Sequence, residues 1–348
     1  IGGDNFAILL TDFDSANINA FIHRIESTLQ RPFSAERYNL SVDSSFGVAA
    51  YPEHAHNEVQ LMQFADIALK RSKEFVSGVE IYDPNLDPFS VKRLMITSHM
   101  RHAIEHNEFS LYFQPKVAGA DATPHSAEAL IRWKHKEHGF ISPAEFIPLA
   151  EKTGYIREIT HWVVDETLRQ MSEWQKRDIE IPISINISAH NLLDPNFVQT
   201  ICDLSDKREV PRNRITLEVT ETAVMMDPEY TISVLNQLSD KGFKIAIDDY
   251  GTGYSSLSYL KQLPADELKI DCSFILNMLE DDDSYTIVYS TIELAHNLGM
   301  SVTAEGVETR AISDHLLDLK CELQQGFFFS KPLPATKFES WLQGHKKS

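Results

Sequence analysis

The segment FKIAIDDY, residues Phe243 to Tyr250, is an apolar run that ends in two adjacent aspartates. Gly242 precedes the run, at a place where a helix is expected to stop. A short apolar run bounded in this way predicts a strand that is buried on both faces. Asp248 and Asp249 then stand at the carboxyl end of that strand, where polar residues interrupt a hydrophobic sequence.

Similar apolar runs lie on both sides of this segment and alternate with stretches of helical periodicity. The helices carry start signals, namely the acid-proline pairs Asp194–Pro195 and Asp227–Pro228 and a capping box at Ser142–Glu145. The other runs are SLYFQP, AEALIRW, IPISINIS, RITLEVTE, ELKID, SVTAEGVE and QQGFFFSKP. Eight apolar strands that alternate with helices predict an α/β fold, a parallel (β/α)8 barrel of the TIM type.

One connection in this pattern differs from the others. The segment KVAGADATPHS, residues 116–126, joins the first two strands and contains glycine, proline and small polar residues without helical periodicity. A parallel crossover usually needs a helix, whereas antiparallel strands need only a turn. We therefore predict that the first barrel strand runs antiparallel to the second.

The region before the barrel has the character of a partial domain. Residues 1–84 follow the order strand, helix, strand, helix, strand, and a linker helix is predicted over 85–107 before the barrel at 108–345. The chain begins with IGGDNFAILL, within an element rather than before one. We expect the first region to be the cut edge of a longer domain, and a sensor or membrane anchor upstream stays open.

Composition limits the partners of this chain. Its 348 residues carry a formal net charge of −19, which disfavours nucleic acid polymers and anionic membranes. No apolar run approaches the roughly 18 residues that a membrane span needs, so direct membrane contact by this segment is not expected. The cysteines, Cys202, Cys272 and Cys321, form no CxxC pair. This usage argues against a disulfide framework or a zinc ribbon and favours a cytoplasmic location.

Polar residues stand at the carboxyl ends of most predicted strands, where the active sites of such barrels lie. Carboxylates around one opening repel each other at neutral pH unless divalent cations neutralise them, and oxygen ligands suit Mg²⁺ or Mn²⁺. The adjacent aspartates favour two ions, which can activate water for phosphodiester hydrolysis. A lysine among the acids is placed to orient that water. The residues are Glu128, Asn186, Glu218, Glu221, Asp248, Asp249, Lys269, Asp271, Glu305, Glu308 and Gln325.

Motifs across residues 93–342 resemble the EAL family of cyclic di-GMP phosphodiesterases. They are EALIRW from Glu128, NIS from Asn186, EVTE from Glu218, DDYGTGYSSL from Asp248, LKID from Leu268, AEGVE from Ala304 and QGFFFSKP from Gln325. The resemblance implies a barrel with an antiparallel first strand and hydrolysis of cyclic di-GMP to the linear dinucleotide pGpG. It also implies a homodimer that forms through the barrel.

The same resemblance implies a role for each matching residue. One metal ion is expected at Glu128, Asn186, Glu218 and Asp248, and a second at Asp248, Asp249 and Glu305. The expected catalytic residues are Lys269 at the nucleophilic water, Glu305, Asp249, and Glu221 as the acid that organises the loop DDYGTGYSS at the active site and dimer interface. The expected substrate-binding residues are Arg132 at a phosphate, Gln114 and Pro332 at guanine pockets, and Asp271, Glu308 and Gln325.

The first region resembles the C-terminal half of a GGDEF domain, the fold that makes the same messenger from two GTP molecules. The matching segments are IGGDNF, LSVDSSFGVAAYP and ADIALKRSKE. Asn5 stands where the family signature requires an acid, and an amide cannot supply a carboxylate's charge to Mg²⁺. We therefore expect no cyclase activity from this region, and we interpret Gly2 and Gly3 as a structural turn rather than a GTP sensor.

Two other functions fit part of the pattern. An EAL-type receptor would bind cyclic di-GMP without cutting it, but such receptors usually lack several metal ligands that this chain retains. An enolase-like barrel also places carboxylates, Mg²⁺ and a lysine base at strand ends. The adjacent aspartates together with Asn186 suit two-metal phosphodiester cleavage better than that chemistry.

Overall fold

The computed structural model describes residues 6–11, 18–29, 33–35, 38–40, 44–74, 78–84, 91–251 and 257–345. It divides into two compact units, Ile1–Ile96 and Thr97–Ser348, and each is described by itself. Asn5 and its neighbouring glycines lie outside the described residues, so their interpretation stays a prediction.

Among its described residues the first unit contains four short strands and two complete helices, and the predicted first strand is wrong because residues 6–11 form no strand. Strands β1 and β2 pair antiparallel, and β3 and β4 pair parallel. The elements are α1 (Ile18–Leu29), β1 (Phe33–Ala35), β2 (Tyr38–Leu40), β3 (Phe46–Val48), α2 (Glu58–Glu74) and β4 (Val79–Ile81).

Glycine is required where β3 packs against α2. A Cβ atom on Gly47 would lie 2.1 Å from the backbone nitrogen of Leu69, a distance that no side chain can occupy. Close approach of the strand brings the Phe64 and Tyr82 rings into a stack with centroids 4.1 Å apart. Ile67 and Ala68 are buried beside them, so the first unit has a small apolar core of its own.

The second unit is built on the remaining strands, and helix α3 (Val91–Glu105) crosses the division between the units. The predicted division into 1–84, 85–107 and 108–345 remains a prediction. The later elements are β5 (Phe109–Ala118), β6 (Thr123–His135), β7 (Gly139–Ile141), α4 (Pro143–Thr153), α5 (Ile156–Gln175), β8 (Ile183–Asn186), α6 (Ala189–Leu192), α7 (Phe197–Arg208), β9 (Ile215–Thr220), α8 (Glu221–Met225), α9 (Pro228–Asp240), β10 (Lys244–Tyr250), α10 (Leu257–Leu260), β11 (Glu267–Ile270), α11 (Cys272–Asn277), α12 (Asp282–Asn297), β12 (Ser301–Ala304), α13 (Arg310–Asp318), β13 (Leu323–Gln324), β14 (Leu333–Pro334) and α14 (Ala335–His345).

Eight of these strands close into a barrel, as the sequence predicts. Their order is β5, β6, β8, β9, β10, β11, β12 and β13, and β13 pairs with β5 to complete the ring. Strands β6 to β13 run parallel in this ring, whereas β5 is antiparallel to both of its neighbours. The predicted antiparallel first strand is therefore confirmed, and a turn at residues 119–122 replaces the first crossover helix.

The barrel strands separate apolar and polar side chains onto opposite faces. Residues such as Ile185, Leu217 and Ile247 are buried and alternate with Ser184, Glu218 and Asp248. Because successive side chains point to opposite faces of a strand, the apolar set lies under the helices and the polar set faces the barrel axis. The interior of this barrel is thus charged where such barrels usually carry branched aliphatic residues.

The strands that end the barrel are shorter than the sequence indicates. Strand β13 covers only the first residue of the predicted run QQGFFFSKP, and residues 325–332 form a turn instead. The reason is a close approach of backbones, because a Cβ on Gly326 would lie 2.0 Å from the carbonyl oxygen of Val307. The amide of Val307 donates to the Gln325 carbonyl at 3.0 Å, which holds the turn against the segment after β12.

Helix starts agree with the sequence in part. Asp227 caps α9 as predicted, since its side chain accepts from the backbone amide of Tyr230. The predicted cap at Asp194 is wrong, because its carboxylate accepts from Asn196 in a turn and α7 begins later, at Phe197. Ser142 stands at the start of α4 but makes no side-chain cap, so the predicted capping box is not formed.

The C-terminal helix packs on the outside of the first strand. Strand β14 pairs with β5, and α14 then places Phe338 against Phe113 and Trp174. The indole nitrogen of Trp174 donates to Glu339 at 2.8 Å, which connects α14 to α5. These contacts hold α14, which follows the last strand, beside β5, the first strand of the barrel.

Two expectations from composition can be compared with the structure. Among the described helices, none combines the length and the hydrophobicity needed to cross a membrane. The sequence argues against a disulfide framework, and Cys202, Cys272 and Cys321 are all free cysteines in the structure.

Candidate active site

Glu128 on β6 is buried at the carboxyl end of the barrel and is bound from two sides. The Asn186 side-chain amide donates to its Oε1 at 2.6 Å, and the Gln325 amide donates to its Oε2 at 2.7 Å. Gln114 on β5 stands opposite Glu128 in the strand register and accepts from Gln325 at 3.2 Å. Burial raises the pKa of Glu128, and the Glu218 carboxylate raises it further against the opposing effect of Lys269.

Lys269 on β11 lies at the centre of the acidic residues and is 1% exposed. Its Nζ atom lies 2.7 Å from Glu218 Oε2, 3.0 Å from Asp248 Oδ1, 2.7 Å from Glu305 Oε1 and 3.8 Å from Glu128 Oε2. Burial by itself lowers the pKa of Lys269, but the surrounding carboxylates raise it well above its ordinary value. The lysine is therefore a permanent cation in this site.

Glu218 on β9 is the most buried of the acids, and both of its oxygens are occupied by lysines. Oε2 accepts from Lys269, and Oε1 accepts from Lys116 at 2.7 Å. Burial would raise the pKa of Glu218, but the two lysines outweigh burial and lower it to about 2. Glu218 is consequently ionised at neutral pH.

Asp248 and Asp249 both face the site because the strand is irregular at its end. Ile247 pairs with Leu268 and Tyr250 pairs with Ile270, so two residues of β10 stand opposite one residue of β11. Asp249 adopts a left-handed backbone with φ of 54°, which turns its side chain away from the alternation of a regular strand. A bulge of this kind redirects a side chain, and here it brings neighbouring carboxylates to one place.

Asp248, Asp249 and Glu305 form a group that can hold a cation. One oxygen from each carboxylate lies within 4.8 Å of the others. Burial raises the pKa of Glu305 to about 8, and Asp248 and Glu128 contribute to the rise although Lys269 opposes it. Burial and the neighbouring Asp248 also raise the pKa of Asp249. Crowded carboxylates repel one another when they are ionised, which raises their pKa values, and a divalent ion bound among them removes that repulsion.

The donor set fits the ions expected from the sequence. Glu128, Asn186, Glu218 and Asp248 contribute oxygen atoms from four neighbouring strands, and the group of three acids adjoins them at Asp248. Hard divalent cations prefer carboxylate and amide oxygens, and no sulfur or imidazole ligand interrupts the set.

Glu221 lies behind the site, at the first residue of α8. It is 3% exposed, and its Oε2 accepts from the backbone amide of Gly251 at 2.9 Å. This bond fixes the start of the loop that follows the aspartates, as the resemblance implies for Glu221. Residues 252–256, the rest of that loop, lie outside the described residues.

The predicted substrate-binding residues fall into two groups. Gln114 donates to the Ser330 carbonyl at 3.2 Å, so the segment that carries Pro332 lies against it. Arg132 is half-buried on β6 beyond Glu128, with its guanidinium 5.6 Å from the Tyr112 ring centroid. These residues and Gln325 gather at the carboxyl end of the barrel.

Asp271 and Glu308 stand apart from that group. Asp271 caps α11, since its carboxylate accepts from the backbone amide of Ser273 at 3.0 Å. Glu308 is exposed on the segment before α13. Within the described ranges neither makes a hydrogen bond to the carboxylate cluster, and their assignment to substrate stays a prediction.

Sequence reasoning gave no function to Lys116 and Glu267, which lie directly beneath the site. Both are buried, and Lys116 Nζ lies 2.8 Å from Glu267 Oε1. One sequence feature could have identified them: both lie in predicted barrel strands, where a charged residue among apolar ones is unusual.

Comparison with protein families agrees with this geometry. The EAL domain model matches residues 98–332, which is more than half of the chain. The diguanylate cyclase GGDEF domain model matches residues 1–76.

Curated relatives match nearly the whole chain. The bifunctional diguanylate cyclase/cyclic di-GMP phosphodiesterase MucR of Pseudomonas aeruginosa is 36% identical over 337 residues, which cover 96% of this chain and 49% of MucR. The cyclic di-GMP phosphodiesterase PdeR of Escherichia coli is 31% identical over 347 residues, which cover 99% of this chain and 52% of PdeR. The chain thus spans about half the length of the curated relatives it matches.

Solved structures share the barrel. The phosphodiesterase of MucR in complex with c-di-GMP aligns with a TM-score of 0.68 and 40% identity, and the alignment covers 70% of this chain and 99% of that chain. The EAL domain of FimX aligns with a TM-score of 0.64 at 21% identity, which supports the fold alone. The match of the family model over most of the sequence, together with these relatives, shows that the chain belongs to the EAL domain family.

Proposed function

We propose that this chain hydrolyses cyclic di-GMP to linear pGpG. The observation that carries the proposal is the convergence of Glu128, Glu218, Asp248 and Glu305 on one buried lysine at the carboxyl end of the barrel. Relatives named as cyclic di-GMP phosphodiesterases, and a related structure in complex with c-di-GMP, support the choice of substrate.

The proposed ions are two Mg²⁺ or Mn²⁺. Glu128, Asn186, Glu218 and Asp248 would hold the first, and Asp248, Asp249 and Glu305 the second. Bound divalent ions supply the Lewis acidity that generates a hydroxide near neutral pH and stabilises a leaving oxygen. In the reaction the water oxygen would lose a proton and bond to phosphorus, and the bond from phosphorus to the 3′ oxygen would break. The 3′ oxygen would take up a proton to become a hydroxyl, so the ring opens and a 5′ phosphate remains.

The proposed role of Lys269 is to hold the attacking water and to offset charge on the phosphoryl group. The surrounding acids, Asp248 foremost, keep it protonated, so it donates hydrogen bonds and does not act as a base. A fixed cation next to the developing negative charge lowers the free energy of the transition state, and no solvent has to reorganise during the reaction. In this proposal Glu221 keeps the loop after Asp249 in place through its bond to Gly251.

The substrate would lie across the mouth of the barrel. Arg132 offers a planar guanidinium to a phosphate, a pairing that its fork of donors suits well. Gln114, Gln325 and Pro332 gather on the other side of Glu128 and are proposed to contact guanine. Asp271 and Glu308 complete the proposed set at the rim.

Further proposals concern the whole protein. We infer a homodimer formed through the barrel domain and a cytoplasmic location for this segment. The part of the chain before the barrel, 1–84, is inferred to be a degenerate cyclase-like region joined by a linker at 85–107. Asn5 is the reason for expecting no synthesis of the messenger there.

A turnover assay tests the proposed function. The purified chain is incubated with cyclic di-GMP and either Mg²⁺ or Mn²⁺, and the nucleotides are separated by chromatography. We expect pGpG to accumulate with metal and to be absent when a chelator is added. Tight binding of cyclic di-GMP without any product would contradict hydrolysis and would instead support a receptor.

A further inference from the structure

Lys116 extends from β5 to the axis of the barrel, below the acids of the active site. Its side chain is 0% exposed. The Nζ atom donates to Glu218 Oε1 at 2.7 Å, to Glu267 Oε1 at 2.8 Å and to Ser184 Oγ at 3.0 Å. These acceptors belong to β9, β11 and β8, so one lysine connects three other strands across the interior.

The three bonds use the full donor capacity of the ammonium group, which has three hydrogens. Glu267 is fixed in turn, because Thr303 on β12 donates to its Oε1 at 2.7 Å. Lys116 therefore has one available orientation, and its contact with Glu218 is fixed by surrounding strands rather than by the side chain's own flexibility.

Glu218 is the residue that this arrangement affects most. Its Oε1 is held from below by Lys116, while its Oε2 faces Lys269 and the other acids. The bond to Lys116 restrains rotation of the Glu218 carboxylate. In the restrained orientation Oε1 points away from the active site and Oε2 points towards it.

We propose that Lys116 is a positioning residue, which orients Glu218 so that a divalent ion is bound through Oε2 alone. The inference rests on the proposed function, in which Glu218 is a metal ligand. Removing a partner that orients a metal-ligating carboxylate typically costs about 10- to 100-fold in metal affinity or activity.

A purely structural role explains the arrangement less well. Buried ion pairs rarely add stability compared with apolar residues of similar volume, because removing two charges from water is costly. An apolar pair would fill the same part of the barrel. Lys116 and Glu267 instead place charge next to a proposed ligand, where orientation has a chemical consequence.

The test compares the Mn²⁺ affinity of three variants, measured from the electron paramagnetic resonance signal of free Mn²⁺. Lys116→Met removes the cation. The double variant Lys116→Met/Glu267→Gln also removes the buried acid that would lose its partner, so the net charge is unchanged and folding is better preserved. Lys244→Met is the matched control, since Lys244 is a strand lysine paired with Asp266 but half-exposed.

We expect Mn²⁺ to bind about 10- to 100-fold more weakly to both Lys116 variants, and Lys244→Met to match the wild type. Added Mn²⁺ should restore the turnover rate of the double variant, while its KM for cyclic di-GMP stays within about twofold. Unchanged Mn²⁺ affinity in the double variant would overturn the inference, even if that variant melts at a lower temperature.

The outcomes also separate this inference from the proposed function. If the wild type makes pGpG but the double variant binds Mn²⁺ normally, hydrolysis stands and the role of Lys116 is wrong. If the wild type makes no pGpG but both Lys116 variants lose Mn²⁺ affinity, the role of Lys116 stands and hydrolysis is wrong. Should Lys116→Met fail to fold, the double variant decides the result.

Discussion

Lys269 and Lys116 bind the two oxygens of one carboxylate, that of Glu218, from opposite directions. Lys269 lies among four acids at the mouth of the barrel, and Lys116 lies below with Glu218, Glu267 and a serine hydroxyl. Burial lowers the pKa of each lysine and the neighbouring carboxylates more than reverse that effect. Two equally buried ammonium groups thus have different proposed roles: Lys269 faces the reacting atoms, and Lys116 orients a metal ligand.

Burial and charge therefore do not distinguish Lys269, the proposed catalytic lysine, from Lys116, the proposed positioning lysine. The distinction lies in what the partners of each lysine can do. The acids around Lys269 are proposed ligands, whereas Glu267 and Ser184 lie too deep to reach a substrate. Variants around the two lysines should therefore change different quantities.

The largest effect is expected from Asp248→Ala, which removes an acid shared by both proposed ions and bonded to Lys269. Turnover should fall by on the order of a thousandfold or more, because several kcal/mol of charge stabilisation depend on the metal. Chromatography of pGpG at saturating substrate measures the loss. Asp240→Ala, at the exposed end of α9, is the control, and near-full activity in Asp248→Ala would mean that the site is misassigned.

Stability should respond most to the deeper lysine. Lys116→Met leaves Glu267 and one oxygen of Glu218 buried without their cation, so we expect the metal-free protein to lose about 3–5 kcal/mol of unfolding free energy. Lys116→Met/Glu267→Gln should recover part of that loss. Urea denaturation with EDTA present measures both, and equal stability of Lys116→Met and the wild type would show that the ion pairs are not formed in solution.

Lys269→Ala should affect the rate of hydrolysis more than it affects metal binding. Removing one preorganised donor from an active site typically slows turnover by about 100- to 1,000-fold. Mn²⁺ affinity should stay within a few-fold of the wild type, because the proposed ligands all remain. A large loss of Mn²⁺ affinity in Lys269→Ala would remove the proposed difference between the two lysines.

The smallest effect concerns pH. Burial raises the pKa of Glu305 to about 8 in the metal-free protein, so this acid holds a proton at neutral pH. A divalent ion must displace that proton, and Mn²⁺ affinity should therefore rise about tenfold per pH unit from pH 6 to about pH 8 and then level off. Titration of Mn²⁺ at several pH values measures the slope, which Glu305→Gln should flatten; an equally steep slope in that variant would contradict the assignment to Glu305.

Much of the fold follows from the sequence because barrel strands leave a local pattern. FKIAIDDY and its counterparts predict the strands, and the connection at residues 116–126, which lacks helical periodicity, predicts the antiparallel first strand. The length of the last strand could not be predicted, because it depends on the backbone of Gly326 approaching Val307, a contact between distant segments. Asp194 failed as a cap for a local reason, since its carboxylate accepts from the backbone amide of Asn196 in a turn before the helix begins.

The candidate site was predictable wherever a polar residue ends an apolar run. Glu218 and Asp248 follow that rule near the ends of β9 and β10, whereas Glu128 lies in the middle of β6. The structure brings all three together around Lys269. The orientation of Asp249 was not predictable, because a bulge and a left-handed φ override the alternation of the strand. Lys116 and Glu267 received no function from the sequence because their roles depend on partners from other strands.

The reversed direction of β5 has a consequence for how the chain enters the barrel. Phe109, the first residue of β5, pairs with Trp133 near the carboxyl end of β6, and that is the end where the acids lie. A barrel whose strands all run parallel would receive its chain at the opposite end. Here the residues just before Phe109 reach the barrel at the carboxyl end of β6, the end that faces the candidate site.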